Sequence, residues 1–178
     1  MPDKYIVLDR DGVINVDLFD YVLKNETFEF EKGSIEALIK LSKNNYQIIV
    51  ATNQKCINLG LISAKGIEKI NNFWINKIKE LGGDILHIEV CPHRDEENCN
   101  CRKPKTGLLI AAEKKLNISL KESYFIGDKL SDLECAVSHG CKPILVNTGY
   151  GSRTLSSNYP KDTEVFENLK AAVDWLID

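Results

Sequence analysis

The sequence predicts an α/β fold: a doubly wound, Rossmann-like parallel sheet in one domain spanning residues 1–178. Three observations predict it. The chain has 178 residues, enough for one well-buried core but short of two. Five short apolar runs rich in β-branched residues each end in turn-forming or polar residues, as strands buried on both faces do. Amphipathic segments with start signals separate those runs, and strand–helix alternation of this kind builds parallel sheets with right-handed crossovers.

Tyr5-Ile-Val-Leu8 is the first predicted strand and runs into Asp-Arg-Asp-Gly. Ser34 is the expected cap of a helix carrying Ile35, Leu38 and Ile39. The second strand, Gln47–Ala51, ends in Thr-Asn-Gln. Ser63 caps a longer helix with Ile67, Ile70, Trp74, Ile78 and Leu81 on one face. Ile85–Val90 is the third strand and leads to Cys-Pro-His; Thr106 then caps a helix reaching about Leu116. Tyr124–Ile126 forms the fourth strand and ends in Gly-Asp-Lys. Ser131 with Glu134 fits a capping box ahead of Ala136 and Val137. Pro143–Val146 is the fifth strand, and Glu167 to Ile177 reads as a closing helix. In such a sheet ligands bind beyond the carboxyl ends of the strands, where the polar residues just named gather.

Composition narrows the function. Apolar residues make up 43% and charged residues 28%, which is ordinary for a globular protein. Net charge is −3, from 23 basic and 26 acidic residues, against binding to nucleic acid through counterion release. No apolar run approaches the roughly 20 residues of a membrane span. Met-Pro-Asp-Lys leads straight into a strand with no leader pattern, so a cytoplasmic protein is expected.

Asp9 and Asp11 flank Arg10 just after the first strand, with Gly12 permitting a tight turn. Asp-Gly turns are common, but two carboxylates at this spacing also suit phosphoryl transfer. One attacks phosphorus; the other protonates the leaving oxygen and then activates water. A carboxylate facing a phosphate dianion needs charge compensation, which points to Mg²⁺. Asp128 is placed to supply another acidic ligand, whereas Asp132, in the first turn after the expected cap, is better explained by the helix dipole. Thr52 and Asn53 offer a hydroxyl and an amide to phosphate oxygens, and Arg102 and Lys103 bring positive charge before a helix start.

Six cysteines need a second explanation in a reducing compartment. Cys91, His93, Cys99 and Cys101 form a Cys₃His set, which is a closed tetrahedral zinc site with no position left for water. Zinc there is structural and staples a loop at 91–103. The segment 94–98, Arg-Asp-Glu-Glu-Asn, is net acidic, which separates this loop from a nucleic-acid finger. Cys56 is expected in a loop and open to solvent, while Cys135 and Cys141 are expected to be buried and inert. His87 and His139 have no predicted partner.

Asp9-x-Asp11-Gly12, Thr52-Asn53-Gln54, Lys103 and Gly127-Asp128-Lys129-x-x-Asp132 resemble, in order and spacing, the haloacid dehalogenase superfamily of phosphatases. With the Cys-Pro-His…Cys-x-Cys-Arg-Lys-Pro loop, they resemble its branch that acts on heptose bisphosphate or histidinol phosphate. The resemblance covers residues 4 to about 150. It implies that Asp9 is the nucleophile and Asp11 the general acid/base, with Mg²⁺ held by Asp9, the Asp11 carbonyl and Asp128. Thr52 and Lys103 would hold the transferring phosphate, and Asn53, Gln54, Arg102 and Lys129 would contribute to substrate binding. No separate cap is implied; the zinc loop and the loop near 17–22, with Asp17 and Tyr21, would shape the pocket. That loop, Asp17-Leu-Phe-Asp-Tyr-Val, is one residue longer than the family pattern, and Lys55-Cys56 replaces the usual Ser-Gly. Both departures bear on which substrate is accepted, and Lys55 joins the candidate contacts.

The resemblance implies a monomer acting on a small phosphorylated sugar in the synthesis of nucleotide-activated heptose. Two other readings compete. A histidinol-phosphate phosphatase would favour carboxylates such as Asp17 and Asp20 around its cationic substrate. A non-catalytic, zinc-stapled binding module would be expected to have lost at least one of Asp9, Asp11, Thr52, Lys103 and Asp128.

Overall fold

The structure, a computed structural model, describes residues 4–178. Six strands form one parallel sheet in the order β3-β2-β1-β4-β5-β6. The strands are β1 (Lys4–Leu8), β2 (Tyr46–Asn53), β3 (His87–Cys91), β4 (Tyr124–Gly127), β5 (Lys142–Val146) and β6 (Glu164–Phe166). The helices are α1 (Ser34–Lys43), α2 (Ala64–Glu80), α3 (Gly107–Leu116), α4 (Leu130–His139), α5 (Gly151–Leu155) and α6 (Leu169–Ile177). The doubly wound expectation holds.

Strand alternation divides the core. Ile6 and Leu8 of β1 and Ile48 and Val50 of β2 point to one face, where Leu38 and Leu41 of α1, Ile67, Ile70, Trp74 and Ile78 of α2, and Leu169 and Val173 of α6 cover them. Val7, Ile49 and Ala51 point to the other, under Leu108, Leu109 and Ala112 of α3 and Cys135 and Ala136 of α4. Trp74 is fully buried and stacks on Phe28 with ring centroids 5.9 Å apart. Among the described residues no helix is long and apolar enough to cross a membrane.

Several local expectations are corrected. Gly33, with φ 81°, precedes α1, and Ser34 lies inside the helix. Its hydroxyl donates instead to the Ile14 carbonyl at 2.8 Å, tying α1 to the loop after β1. Ser63 caps α2 as expected, accepting from the Gly66 amide at 3.0 Å, but Leu81 lies past the last turn and is half exposed. Thr106 occupies the cap position of α3 without a side-chain bond. Helix α4 starts two residues earlier than a Ser131 cap implies: Lys129 is the cap residue, and the Asp132 carboxylate accepts from its amide at 3.0 Å. Val137 is exposed. Strand β3 begins at His87 rather than Ile85. Cys56 is fully buried, because its thiol turns back towards the Gln54 side chain. His87 pairs with Glu89 at 2.6 Å and His139 with Glu113 at 3.1 Å.

The chain winds outward from β1 to β3 and then returns to lay β4 beside β1. The carboxyl ends of β1 and β4 therefore meet at a topological switch point, where a crevice opens.

Candidate active site and metal sites

Asp9 and Asp11 follow β1 at that crevice. The turn is closed by the amides of Val13, Ile14 and Asn15, all donating to the Arg10 carbonyl, and by Gly12 N donating to Asn15 O at 2.7 Å. Gly12 has φ +89°, and a Cβ there would collide with the Asp128 carboxylate. Gly149 is equally constrained by Asp128 and by Gly12 itself. Two strand ends and a glycine on each side thus hold Asp128 against the first turn.

Lys103 is the cation of the centre. It is 4% exposed and reaches Asp9 at 2.8 Å, Asp132 at 2.6 Å and the Ala51 carbonyl at 2.7 Å. Burial alone would lower its pKa, but Asp132 and Asp9 hold it above the ordinary lysine value. Burial first, then the Asp132 carboxylate, push Asp9 above the usual carboxylate range. Asp11 behaves oppositely: burial would raise it, but the Arg10 guanidinium and the Asn15 amide outweigh burial and hold it below. Its carboxylate also accepts from Gln54 Nε2 at 2.6 Å, and Gln54 Nε2 donates to Thr52 Oγ1 at 2.9 Å. The Thr52 hydroxyl hydrogen remains free to donate.

Lys129 lies 2.9 Å from Asp17 and 3.8 Å from Asp128, over the ring of Tyr150. Both Asn53 amide atoms are engaged with the Lys103 backbone, each at 3.2 Å, so Asn53 positions Lys103. Arg102 donates to Asp95 at 2.7 Å, and Lys55 approaches the same carboxylate at 3.4 Å. Asp9, Asp11, Asp17, Tyr21, Lys55, Arg102, Lys103 and Lys129 line one cavity of about 500 Å³, with Phe19, Asp20, Asp95, Asp132 and Tyr150 completing it.

Four of those residues were not predicted as contributors: Asp95, Asp132, Phe19 and Tyr150. Asp132 carries a signal, its position four residues after Asp128, but the helix dipole explains that position better in the sequence. It does lie in the first turn of α4 and caps it through the Lys129 amide, and it also grips Lys103. The other three arise from loop geometry that no spacing announces.

The centre suits a divalent cation. Oxygens of Asp9, Asp128 and Asp132 lie within 4.8 Å of one another, and Asp128 Oδ1 is buried with no hydrogen-bond partner among the described residues. Five carboxylates (Asp9, Asp11, Asp17, Asp128, Asp132) face three cations (Arg10, Lys103, Lys129), a formal excess of two negative charges when all are ionised. Burial foremost, then Asp9 and Asp132, push Asp128 well above the carboxylate range against the pull of Lys129.

The second cluster fits zinc. Cys91 Sγ lies 3.1 Å from Cys101 Sγ and 3.7 Å from Cys99 Sγ, and His93 Nδ1 lies 3.2 Å from Cys101 Sγ. A tetrahedron with Zn–S near 2.3 Å has edges of about 3.8 Å, so the four donors already stand close to the corners. The Arg102 amide donates to Cys99 Sγ at 3.3 Å. Burial would raise the Cys99 thiol, but that amide leads the contacts that outweigh it and bring it down to about 7. The cluster closes the loop directly behind Arg102 and Lys103.

A buried carboxylate paired with a buried lysine, beside a cluster of acidic side chains at the switch point of a doubly wound sheet, is the arrangement of a phosphatase of the haloacid dehalogenase type. A family profile for HAD-hydrolase-like proteins matches residues 100–172. The chain belongs to the haloacid dehalogenase superfamily of phosphatases, which are phosphoric monoester hydrolases. It is 40% identical to a D-glycero-β-D-manno-heptose-1,7-bisphosphate 7-phosphatase of Pseudomonas putida, over 98% of this chain and 99% of that one. It is 35% identical to a D-glycero-α-D-manno-heptose-1,7-bisphosphate 7-phosphatase of Photorhabdus laumondii, over 98% and 97%. A crystal structure of the D,D-heptose 1,7-bisphosphate phosphatase of B. bronchiseptica, complexed with magnesium and phosphate, superposes with a TM-score of 0.93 at 33% identity, covering 97% of each chain.

Proposed function

We propose that this chain is a Mg²⁺-dependent phosphatase that removes the 7-phosphate of D-glycero-β-D-manno-heptose 1,7-bisphosphate through an aspartyl phosphate on Asp9. The observation that carries the reading is a cavity lined by four cations. Lys103 and Lys129 pair with carboxylates of the centre, and Arg102 and Lys55, both paired with Asp95, line the same cavity, which offers cations to each phosphate of a bisphosphorylated sugar. The likeness to proteins named for that substrate, over nearly the whole of both chains, supports it. The convergence of Asp9, Asp11, Thr52, Lys103 and Asp128 on one centre weighs against a non-catalytic module.

An Asp9 carboxylate oxygen attacks phosphorus, the bond from phosphorus to O7 breaks, and O7 leaves with a proton from the Asp11 carboxyl. Water then attacks the phosphorus of phospho-Asp9 and gives its proton to Asp11. The acyl–phosphate bond breaks, releasing inorganic phosphate and restoring Asp9. Lys103, held by Asp132 and Ala51, neutralises the phosphoryl oxygens, and the Thr52 hydroxyl donates to one of them. Asp9, Asp128 and the Asp11 carbonyl would hold Mg²⁺, which would supply positive charge against the phosphate dianion. Zn²⁺ on Cys91, His93, Cys99 and Cys101 fixes the loop that presents Arg102 and Lys103. Asp17 and Tyr21 border the sugar, with Gln54 orienting Asp11 and Asn53 orienting Lys103. The reading carries with it a cytoplasmic monomer and a heptose 1-phosphate product that goes on to nucleotide activation.

Phosphate release with Mg²⁺, using both anomers of heptose 1,7-bisphosphate beside histidinol phosphate, tests it. A large preference in kcat/KM for the β anomer is expected, with Asp9→Asn abolishing turnover. Preference for histidinol phosphate would overturn the substrate, and turnover by Asp9→Asn would overturn the nucleophile.

A further inference from the structure

We infer that Arg10 and Asn71 are positioning residues for the acid–base step, forming a buried relay that fixes the Asp11 carboxylate from behind. Arg10 lies between the two catalytic aspartates yet is fully buried, among the largest buried side chains of the protein. Its Nη2 donates to both oxygens of Asp11, at 3.0 and 3.1 Å. Its Nη1 donates to Asn71 Oδ1 at 3.1 Å, and the Trp74 indole donates to the same oxygen at 3.2 Å. Arg10 Nε has no partner among the described residues.

This arrangement is costly if its role is stability alone. An apolar side chain of similar volume would fill the space under β1 without burying a guanidinium, and buried ion pairs commonly lose to such replacements. What the guanidinium supplies is orientation. Each Asp11 oxygen receives Arg10 plus one amide, Asn15 Nδ2 on Oδ1 at 3.0 Å and Gln54 Nε2 on Oδ2 at 2.6 Å. Asn15 and Gln54 sit on loops, whereas Arg10 is braced through Asn71 against the middle of α2 and its buried Trp74. The relay thus references the carboxylate to the rigid core. A planar fork does this where an ammonium cannot.

The inference rests on Asp11 being the general acid/base, and leaving-group chemistry separates positioning from mere structure. An alkoxide departing from a sugar phosphate needs the proton of Asp11. The phenolate of 4-nitrophenyl phosphate leaves without one, but its phosphoenzyme still needs Asp11 to activate water. With Arg10→Lys or Asn71→Leu, the first turnover of 4-nitrophenyl phosphate is expected to stay within about 3-fold of native. Steady-state turnover should fall about 10-fold or more, so that a stoichiometric burst of nitrophenolate appears. With heptose 1,7-bisphosphate the first turnover itself should slow, at unchanged KM. Asp11→Asn sets the reference pattern. If Asp11→Asn shows the burst and the other two lose first and second steps equally, or lose neither, the positioning role is overturned while the acid–base reading stands. If Asp11→Asn shows no burst, both are overturned. Asn71→Leu carries the test should Arg10→Lys not fold.

Discussion

Lys103 joins the packing of the centre to its proposed chemistry through one ammonium. Among the described residues it is the only cation touching Asp9 and Asp132 at once, at 2.8 and 2.6 Å, and it is itself buried. Removing one partner of a buried pair leaves the others uncompensated, at a cost of about 3–5 kcal/mol. Lys103→Met is therefore expected to lose activity and also to unfold at clearly lower urea. A variant as stable as the parent in equilibrium unfolding would refute that dual role. Asp132→Asn is expected to be milder in stability, because the amide oxygen can still accept from the Lys129 backbone and cap α4. It should nonetheless slow phosphate release markedly, since Lys103 loses one of its two anchoring charges. Native kcat in Asp132→Asn would reduce Asp132 to a helix cap. The residue was legible as an acid in a motif and illegible as a partner of Lys103, because the lysine is 29 positions away and reaches it only through the fold.

At the scale of elements, legibility followed length and periodicity. Helix α2 was readable from its cap to Ile78, because a 17-residue amphipathic run with a Ser63 cap leaves few alternatives, and only Leu81 falls past its end. Strand β6, three residues long and mostly exposed at the sheet edge, shows no period, and five-residue α5 shows none either. Ser34 misled for a physical reason: serine before an apolar run signals a cap, but Gly33 takes the left-handed turn and frees the hydroxyl for Ile14. Each serine should therefore contribute one hydrogen bond. Ser63→Ala is expected to cost about 1 kcal/mol as a lost cap, and Ser34→Ala about 0.5–1.5 kcal/mol as one lost buried bond, since the Ile14 carbonyl keeps the Glu31 amide at 3.0 Å. A Ser34→Ala variant as stable as the parent in chemical denaturation would contradict the Ile14 contact. The zinc loop is the element whose order depends most on a ligand. Chelation is expected to expose amides of 91–103 to hydrogen exchange while β1, β2 and β4 stay protected, and to cut activity through displaced Arg102 and Lys103. Full activity in protein shown by elemental analysis to lack zinc would disprove that coupling.

Across the whole molecule, the fold concentrates charge where strand order reverses. Its two apolar layers seal both faces of the sheet, so the cluster at the carboxyl ends has solvent on one side only. The five carboxylates and three cations there leave a formal excess of two negative charges in a poorly solvated crevice, which opposes the compact state until a divalent ion arrives. Stability and function are then set against each other at Asp128, whose Oδ1 has no hydrogen-bond partner among the described residues and whose neighbours Gly12 and Gly149 admit no side chain. Two consequences follow from one substitution. Without Mg²⁺, Asp128→Asn is expected to melt above the native chain, because it removes charge repulsion while its amide occupies nearly the same volume. With Mg²⁺ at about 100 times its Kd, the native chain should gain about 2.7 kcal/mol, or about 5–10 °C in Tm at this chain length, and overtake the variant, which should gain little. Differential scanning calorimetry with and without Mg²⁺ reads both curves. A native chain that ignores Mg²⁺, or an Asp128→Asn variant that gains as much as the native chain, would remove Asp128 from the cation site. A metal-free variant less stable than the native chain would mean that the Asp128 charge is held by Lys129 more strongly than it is repelled by Asp9 and Asp132.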